Sequence, residues 1–193
     1  MFADFAGQGS QLTPNILLAG YTEGIFPMAE GNDIFWYSPE ERGVIPLDDR
    51  FHINHGLRRA MRKKPFEIHI NRDFEGVIRA CGERQETWID ERIVKAYCAL
   101  YDRGFGLSVE CWDEDGLQGG LYGIAYKKAF FGESMFSRKS NASKIAMVHL
   151  VEHLRARDFL LLDTQWVTSH LQTFGGYSIS REEYLDQLAN ALA

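Results

Sequence analysis

The chain has 193 residues, of which 45% are hydrophobic and 25% charged. That is the make-up of a globular domain with a real core, and it excludes a disordered or low-complexity chain. The formal net charge of −6 argues against a protein that coats nucleic acid through bulk basic surface, while leaving room for a local basic patch.

The opening MFADFAGQGS has no basic segment followed by an apolar run, so no signal peptide is expected, and its residues read as loose. LTPNILLAGYTEG then predicts a helix, with Thr13 as N-cap, Pro14 in the first turn and Gly24 at the end. IFPMAEGNDIFWYSPEERGVIPL, rich in turn residues and aromatics, predicts an irregular, partly buried segment with short strands. HINHGLRRAMRKK predicts a short basic helix stopped before Pro65. FEIHI alternates in strand fashion. Asp73 and Asp90 are expected to cap two helices. The first places Phe74, Val77, Ile78 and Cys81 on one face, the second Ile93, Ala96, Tyr97 and Leu100, and Gly104 ends the second.

GLSVECWDEDGLQGGLYGIAY predicts a hairpin turning at Asp115-Gly116, followed after Lys127-Lys128 by a third strand in AFFGESMF. A helix from about Asn141 would bury Met147, Leu150, Val151 and Leu154. FLLLDTQWV reads as a buried strand, TSHLQTF as a short helix, and Gly175-Gly176 as a break. Ser180 and Glu183 make a capping-box pattern for the last helix. From residue 66 the order is β-α-α-β-β-β-α-β-α, then an extended piece and a helix. This is an α/β layout with helices on a mixed sheet, similar to the order of the GNAT acyltransferases. No stretch of about 18 apolar residues exists to span a membrane. Cys81, Cys98 and Cys111 are odd in number and lack metal-type spacing, so reduced thiols in a cytoplasmic protein are expected.

Three places could carry chemistry. In FLLLDTQWV, Asp163 and Gln165 share a strand face at the end of an apolar run. They either mark a binding site or merely leave the core at a loop. Glu133 sits in the apolar run FFGESMF, where an acid needs a partner; solvent, an Arg elsewhere or a ligand would each serve. Arg58, Arg59, Arg62, Lys63 and Lys64 cluster, and the first four share a helix face. That face is either an ordinary solvated one or a phosphate-contacting patch. HLVEH at 149–153 matches a zinc-protease spacing, but His149, Glu152 and His153 fall near the polar side of the helix and no third ligand is evident, so no metal is expected. Gly119, Gly120 and Gly123 permit close backbone approach. No P-loop or dinucleotide fingerprint is present.

Taken together, AGYTEGIFPM, FWYSPEERGVIPL, FHI, ETWI, GGLYGIAY, FFGESMFSRKSNASKIA, LLDTQWVTSHL and FGGYSISREEYL resemble, in that order, the bacterial leucyl/phenylalanyl-tRNA–protein transferases. The resemblance runs from about residue 12 to the C-terminus, and GESMFS-x-x-x-NASK followed by L-x-D-x-Q is its most specific part. It implies a GNAT-like catalytic domain over 51–193 behind a shortened N-terminal segment over 1–50. It implies an enzyme that moves Leu, Phe or sometimes Met from aminoacyl-tRNA to the α-amine of proteins beginning with Arg or Lys, marking them for proteolysis. A monomer without metal or small cofactor is expected.

Carried over by position, Glu133 would orient a substrate amine, and its partner would be that cation rather than a protein side chain. Asp163 and Gln165 match a proposed proton-relay pair. An amide oxygen is too weakly basic to be a true base, so Gln165 is expected to accept a hydrogen bond from the amine, with Asp163 supplying charge or fixing it. Leu121, Phe130, Leu150 and Leu162 would line the pocket for the transferred side chain. Trp88 would stack at the tRNA 3′ end, and Arg42 with the 58–64 cluster would contact the tRNA backbone. Met28, Leu121 and Leu150 depart from the family's usual residues, which puts the donor ranking in question. Acidic acceptors, or an acyl-coenzyme A donor, are the alternatives.

Overall fold

The computed structural model describes residues 4–9, 12–84 and 87–193. The N-terminal strand β1 (Phe5–Gly9) pairs with β3 (Asp33–Tyr37), which pairs with β2 (Phe26–Glu30), in a small antiparallel sheet. The expectation of a loose start is therefore corrected for residues 5–9, which find a ladder on β3; residues 1–3 and 10 lie outside the described residues. Between β1 and β2 runs α1 (Pro14–Thr22), capped as its sequence predicts by the Thr13 side chain on the Ile16 N–H at 3.3 Å.

The larger sheet has seven strands: β4 (Glu41–Val44), β5 (Glu67–Ile70), β6 (Gly106–Asp113), β7 (Gly116–Tyr126), β8 (Ala129–Ser137), β9 (Leu161–Gln165) and β10 (Tyr177–Ser180). Their spatial order is β10-β4-β9-β8-β7-β6-β5, and among the described residues only β8 and β9 run parallel. The strand β4 lies in the first 50 residues yet is built into this sheet.

Helices cover both faces. One core cluster gathers Leu17 and Tyr21 of α1 with α3 (Phe74–Gly82), α4 (Glu91–Tyr101) and α7 (Arg181–Ala191). The other gathers α5 (Ala142–Arg155) with Leu57 of α2 (His55–Arg62) and Leu171 of α6 (Ser169–Gln172). The caps foreseen from Asp73, Asp90 and Ser180 all form. The capping box is only half made, because the Glu183 carboxylate accepts from Gln187 instead.

Two irregularities shape the middle of the sheet. The parallel pair β8–β9 holds register only from Ala129↔Leu161 to Phe131↔Asp163, while β8 continues to Ser137. The strands split beyond that point, leaving a wedge between Gly132–Ser137 and Thr164–Gln165. On the other side of β8, Tyr122 pairs with Ser134 but Gly123 pairs with Gly132. Glu133 is thus the extra residue of a β-bulge, a device that re-aims a side chain out of strict alternation. Gly123 permits it: a Cβ there would lie 2.2 Å from the Phe131 carbonyl oxygen.

Candidate active site

The wedge between β8 and β9 opens into a cavity of about 710 Å³, within the usual range for small-molecule sites. Its apolar part is lined by Leu121, Phe130, Leu150 and Leu162, the four residues expected there, joined by Met135 and Met147. These come from β7, β8, β9 and the inner face of α5. Trp88 also lines the cavity, as do Arg84 and Arg138. Arg138 is paired with Glu83 at 2.9 Å, and Arg84 donates to the Met135 carbonyl.

The polar part brings Glu133 and Gln165 together from two strands. Asp163 lies behind them, fully buried, with all its bonds made to the protein. Arg42 grips it with two parallel bonds, Nε to Oδ1 at 2.9 Å and Nη2 to Oδ2 at 2.6 Å, the strong fork geometry of an arginine–carboxylate pair. The Tyr184 hydroxyl donates to Oδ2 at 2.9 Å and the Gln165 backbone N–H to Oδ1 at 2.9 Å. The Arg42 guanidinium also donates to the Gly24 carbonyl at 3.0 Å and stacks between the rings of Phe26 and Tyr184.

This placement corrects the expectation that Arg42 contacts a tRNA backbone. Arg42 is 1% exposed, and a buried guanidinium needs a fixed counter-charge, which Asp163 supplies. Burial alone would lower the Arg42 pKa; the adjoining carboxylate more than reverses this and holds it above its ordinary value.

Gln165 has a backbone φ of +58°, an uncommon region for a residue with a Cβ, which costs on the order of 1 kcal/mol. Two bonds hold it there: its N–H to Asp163, and the Trp166 N–H to the Thr164 carbonyl at 2.7 Å, closing a tight turn around it. Opposite stands Gly43, where a Cβ would meet the Trp166 backbone at 2.6 Å. The Gln165 side chain donates from Nε2 to Glu133 at 3.3 Å. Its amide oxygen makes no bond among the described residues, and Gln165 lines the cavity.

Glu133 accepts from the Tyr21 hydroxyl at 2.6 Å, the Tyr97 hydroxyl at 2.9 Å and the Gln165 amide. The expectation that its partner is a substrate rather than a protein side chain is therefore corrected: two phenols and an amide already reach it, brought by α1, α4 and β9. It is half-buried, with part of its surface open to the cavity. Burial pushes its carboxyl up to about 7, while the phenol bonds pull the other way and the nearby Asp163 and Arg42 charges oppose each other.

Three further polar atoms are buried without a partner among the described residues, Tyr122 Oη, Thr164 Oγ1 and His170 Nε2. All three belong to cavity-lining residues. Tyr21, Tyr97, Tyr184 and these three residues were not singled out from sequence as site residues. Tyr97 was legible only as a buried position of a helical stripe.

Arg58, Arg59, Arg62, Lys63 and Lys64 are exposed on and after α2 and do not line the cavity. None forms an ion pair among the described residues; Arg58 donates to the Ile53 carbonyl. Of HLVEH, His149 pairs with Glu152 at 3.1 Å and His153 meets Arg157. No group of three or more metal-type side chains converges among the described residues. Nor is any described helix long and apolar enough to cross a membrane.

Comparison with known proteins places the chain among close relatives. A family model described as leucyl/phenylalanyl-tRNA protein transferase matches residues 44–189, and the model of that family's N-terminal domain matches residues 10–40. The chain is 56% identical over 187 residues to the leucyl/phenylalanyl-tRNA–protein transferase of Akkermansia muciniphila, covering 94% of this chain and 97% of that one. It is 51% identical to that of Paramagnetospirillum magneticum, covering 94% and 90%, and 48% identical to that of Herpetosiphon aurantiacus, covering 94% and 95%. Among solved structures, L-PGS from Bacillus licheniformis aligns with a TM-score of 0.47 at 10% identity, covering 96% of this chain and 72% of that one.

Proposed function

The chain belongs to the leucyl/phenylalanyl-tRNA–protein transferase family, and on that premise we propose that its cavity joins the aminoacyl group of Leu-, Phe- or Met-tRNA to the free α-amine of a protein beginning with Arg or Lys. The observation that carries this reading is the meeting of Glu133 and Gln165 at the split of β8 and β9, directly beside an apolar pocket. A GNAT-like catalytic fold fits the same features: the element order from β5 onward and a parallel strand pair, β8–β9, that splays at the site.

The chemistry needs little beyond positioning. An aminoacyl ester is already activated. An α-amine with a pKa near 7.7–8.0 is partly neutral at pH 7. Holding the two together in a reactive pose supplies much of the acceleration. The pocket of Leu121, Phe130, Leu150 and Leu162 takes the transferred side chain, where burying a Leu or Phe is worth about 1.5–3 kcal/mol. A charged side chain is rejected there by its desolvation cost. Trp88 offers a stacking surface for the terminal nucleoside, and the exposed cations of α2 offer a track for tRNA phosphates.

At the reacting end, Asp163 is an anchor. Its donors from Arg42, Tyr184 and the Gln165 backbone are all fixed, so its work is to hold Gln165 in its strained turn. Because the Gln165 NH₂ is engaged by Glu133, its amide oxygen is left to accept a hydrogen bond from the attacking amine. Glu133, beside it, attracts that amine.

The test is a transfer assay with labelled Leu-tRNA and Phe-tRNA and peptides that differ only in their first residue: Arg, Lys, Asp, Glu or Ala. Label on the Arg and Lys peptides alone is expected. Label on the Asp and Glu peptides would keep the chemistry and overturn the acceptor class. No label on any peptide would overturn the reading.

A further inference from the structure

The Tyr21–Tyr97–Glu133 cluster contains more contacts than its phenols have protons. Tyr21 reaches Glu133 Oε1 and Tyr97 reaches Oε2, and the two phenol oxygens are also in hydrogen-bond contact with each other. Three side chains therefore meet along three edges, and each edge needs one proton. The phenols supply two. If Glu133 is a carboxylate, both protons go to it, and the phenol–phenol edge is left as two lone pairs face to face. If Glu133 carries a proton, its carboxyl donates to one phenol, that phenol to the other, and the second back to the other carboxyl oxygen. Every edge is then satisfied. Both tyrosines are 0% exposed, so water cannot mend the bare edge.

We propose that Tyr21, Tyr97 and Glu133 form a proton-holding ring, and that Glu133, once ionised, takes the proton released by the attacking α-amine and hands it to the departing ribose oxygen of the tRNA. This rests on the transfer reading above and adds a proton carrier to it. The amine lone pair forms the C–N bond, and the carbonyl π pair moves onto its oxygen. One N–H proton passes to Glu133. The carbonyl then re-forms, the C–O bond to the ribose breaks, and the leaving oxygen keeps that pair and receives the proton from Glu133. Nothing is oxidised or reduced. Tyr21 and Tyr97 touch no substrate and are positioning residues that act through Glu133.

The surroundings suit the role. Glu133 faces Tyr21 from α1, Tyr97 from α4, Tyr122 from β7, Asp163 from β9 and Arg42 from β4. On α3, burial pushes the Cys81 thiol up to about 12, so it stays neutral, with Arg84 just beyond. Burial, and then the Glu133 charge, raise Tyr21, Tyr97 and Tyr122 well above the ordinary phenol value, so all three remain neutral. Arg42, the one cation in this set, is committed to Asp163. Glu133 is the group free to change charge near neutrality.

Infrared difference spectroscopy of the free protein tests the ring without substrate. A protonated-carboxyl band present at about pH 6 should be gone by about pH 8, and should be missing from Glu133→Gln. Tyr97→Phe sharpens the test. The protonated form loses two neutral bonds and the ionised form one charge-assisted bond of roughly twice the strength, so relief of the bare phenol contact decides, and the titration should move down by about half a pH unit. Tyr21→Phe attacks the same ring from the other helix and should move it the same way.

In the transfer assay at saturating substrates, kcat should rise along this titration and shift with it in both phenylalanine variants. In Glu133→Gln it should fall roughly 100-fold and lose the Glu133 inflection, with the KM for aminoacyl-tRNA little changed and that for the acceptor peptide raised by the lost attraction for its amine. The acceptor amine titrates alike in every variant and cannot mimic the shift. An absent band, or an upward shift in Tyr97→Phe as expected of phenols that merely donate to a carboxylate, overturns the ring. A kcat profile that stays put while the band moves overturns the proton-carrier role. A moving band with no transfer to any peptide keeps the ring and overturns the transfer reading.

Discussion

Asp163 and Glu133 are acids on neighbouring strands, one behind the cavity and one lining it, and they are accommodated in opposite ways. Asp163 is sealed, has a cation forked onto it, and accepts a phenol and a backbone N–H besides. Glu133 receives only neutral donors, two phenols and an amide, and keeps a side open to the cavity. Burial penalises both charges. At Asp163 an arginine answers it; at Glu133 no cation does, and burial pushes the carboxyl up to about 7. A buried acid is therefore not by itself a reactive one. What separates scaffold from chemistry is the charge of the partner and whether a bond remains to be made.

The sharpest way to break that contrast is Asp163→Ala. It leaves Arg42 buried between Phe26 and Tyr184 with its counter-charge gone, a change that typically costs about 3–5 kcal/mol. Urea unfolding at neutral pH reads this directly. A midpoint that barely moves would mean that Arg42 finds another partner and that Asp163 is no anchor. Activity should be lost with it, since Gln165 then has nothing to hold its turn.

Glu133→Gln should have the opposite sign. A glutamine end sets an acceptor oxygen beside an NH₂ donor, so it copies the protonated acid and completes the ring with Tyr21 and Tyr97. For the wild type, the folded carboxyl lies near 7 against an ordinary 4.5. Between those values the native state holds a proton that the unfolded state has released. Stability must therefore fall as pH rises through that window, and is fully present only below it. With allowance for the open cavity side, the fall amounts to about 2 kcal/mol. The variant should match the wild type near pH 4.5 and exceed it by that amount at about pH 8. Equal urea midpoints at both pH values would mean that the folded state does not penalise the Glu133 charge.

The two acids were unequally legible in the sequence. Period-two alternation in FLLLDTQWV puts Asp163 and Gln165 on one face at a strand end, and both reach the site. Caps such as Thr13, Asp73 and Asp90 were equally readable because their partners lie within three residues. Arg42 was not. Its partner is 121 residues away, and a charge in PEERGV looks like surface. Helical period shows that Tyr97 is buried but not what its hydroxyl meets, so the ring around Glu133 lay hidden in the core stripes of α1 and α4. The bulge that aims Glu133 is a one-residue register shift between β7 and β8, a property of the pairing rather than of either strand.

The finest comparison removes the same atom from each cluster. Tyr184→Phe deletes a phenol that donates to Asp163 at 2.9 Å and accepts from Arg42 at 3.3 Å. Tyr97→Phe deletes one that donates to Glu133. In the first case both guanidinium bonds to Asp163 survive, so the loss should be that of one hydrogen bond to a charged group, about 1.5 kcal/mol. It should also be the same at about pH 5.5 and about pH 8, because burial and the Asp163 charge hold Tyr184 neutral and Arg42 stays charged across that range. The kcat profile of Tyr184→Phe should keep the wild-type inflection, while that of Tyr97→Phe moves. If removing the Tyr184 hydroxyl shifts the profile as well, proton movement extends from Glu133 through Gln165 to Asp163, and the two acids work as one unit rather than as anchor and carrier.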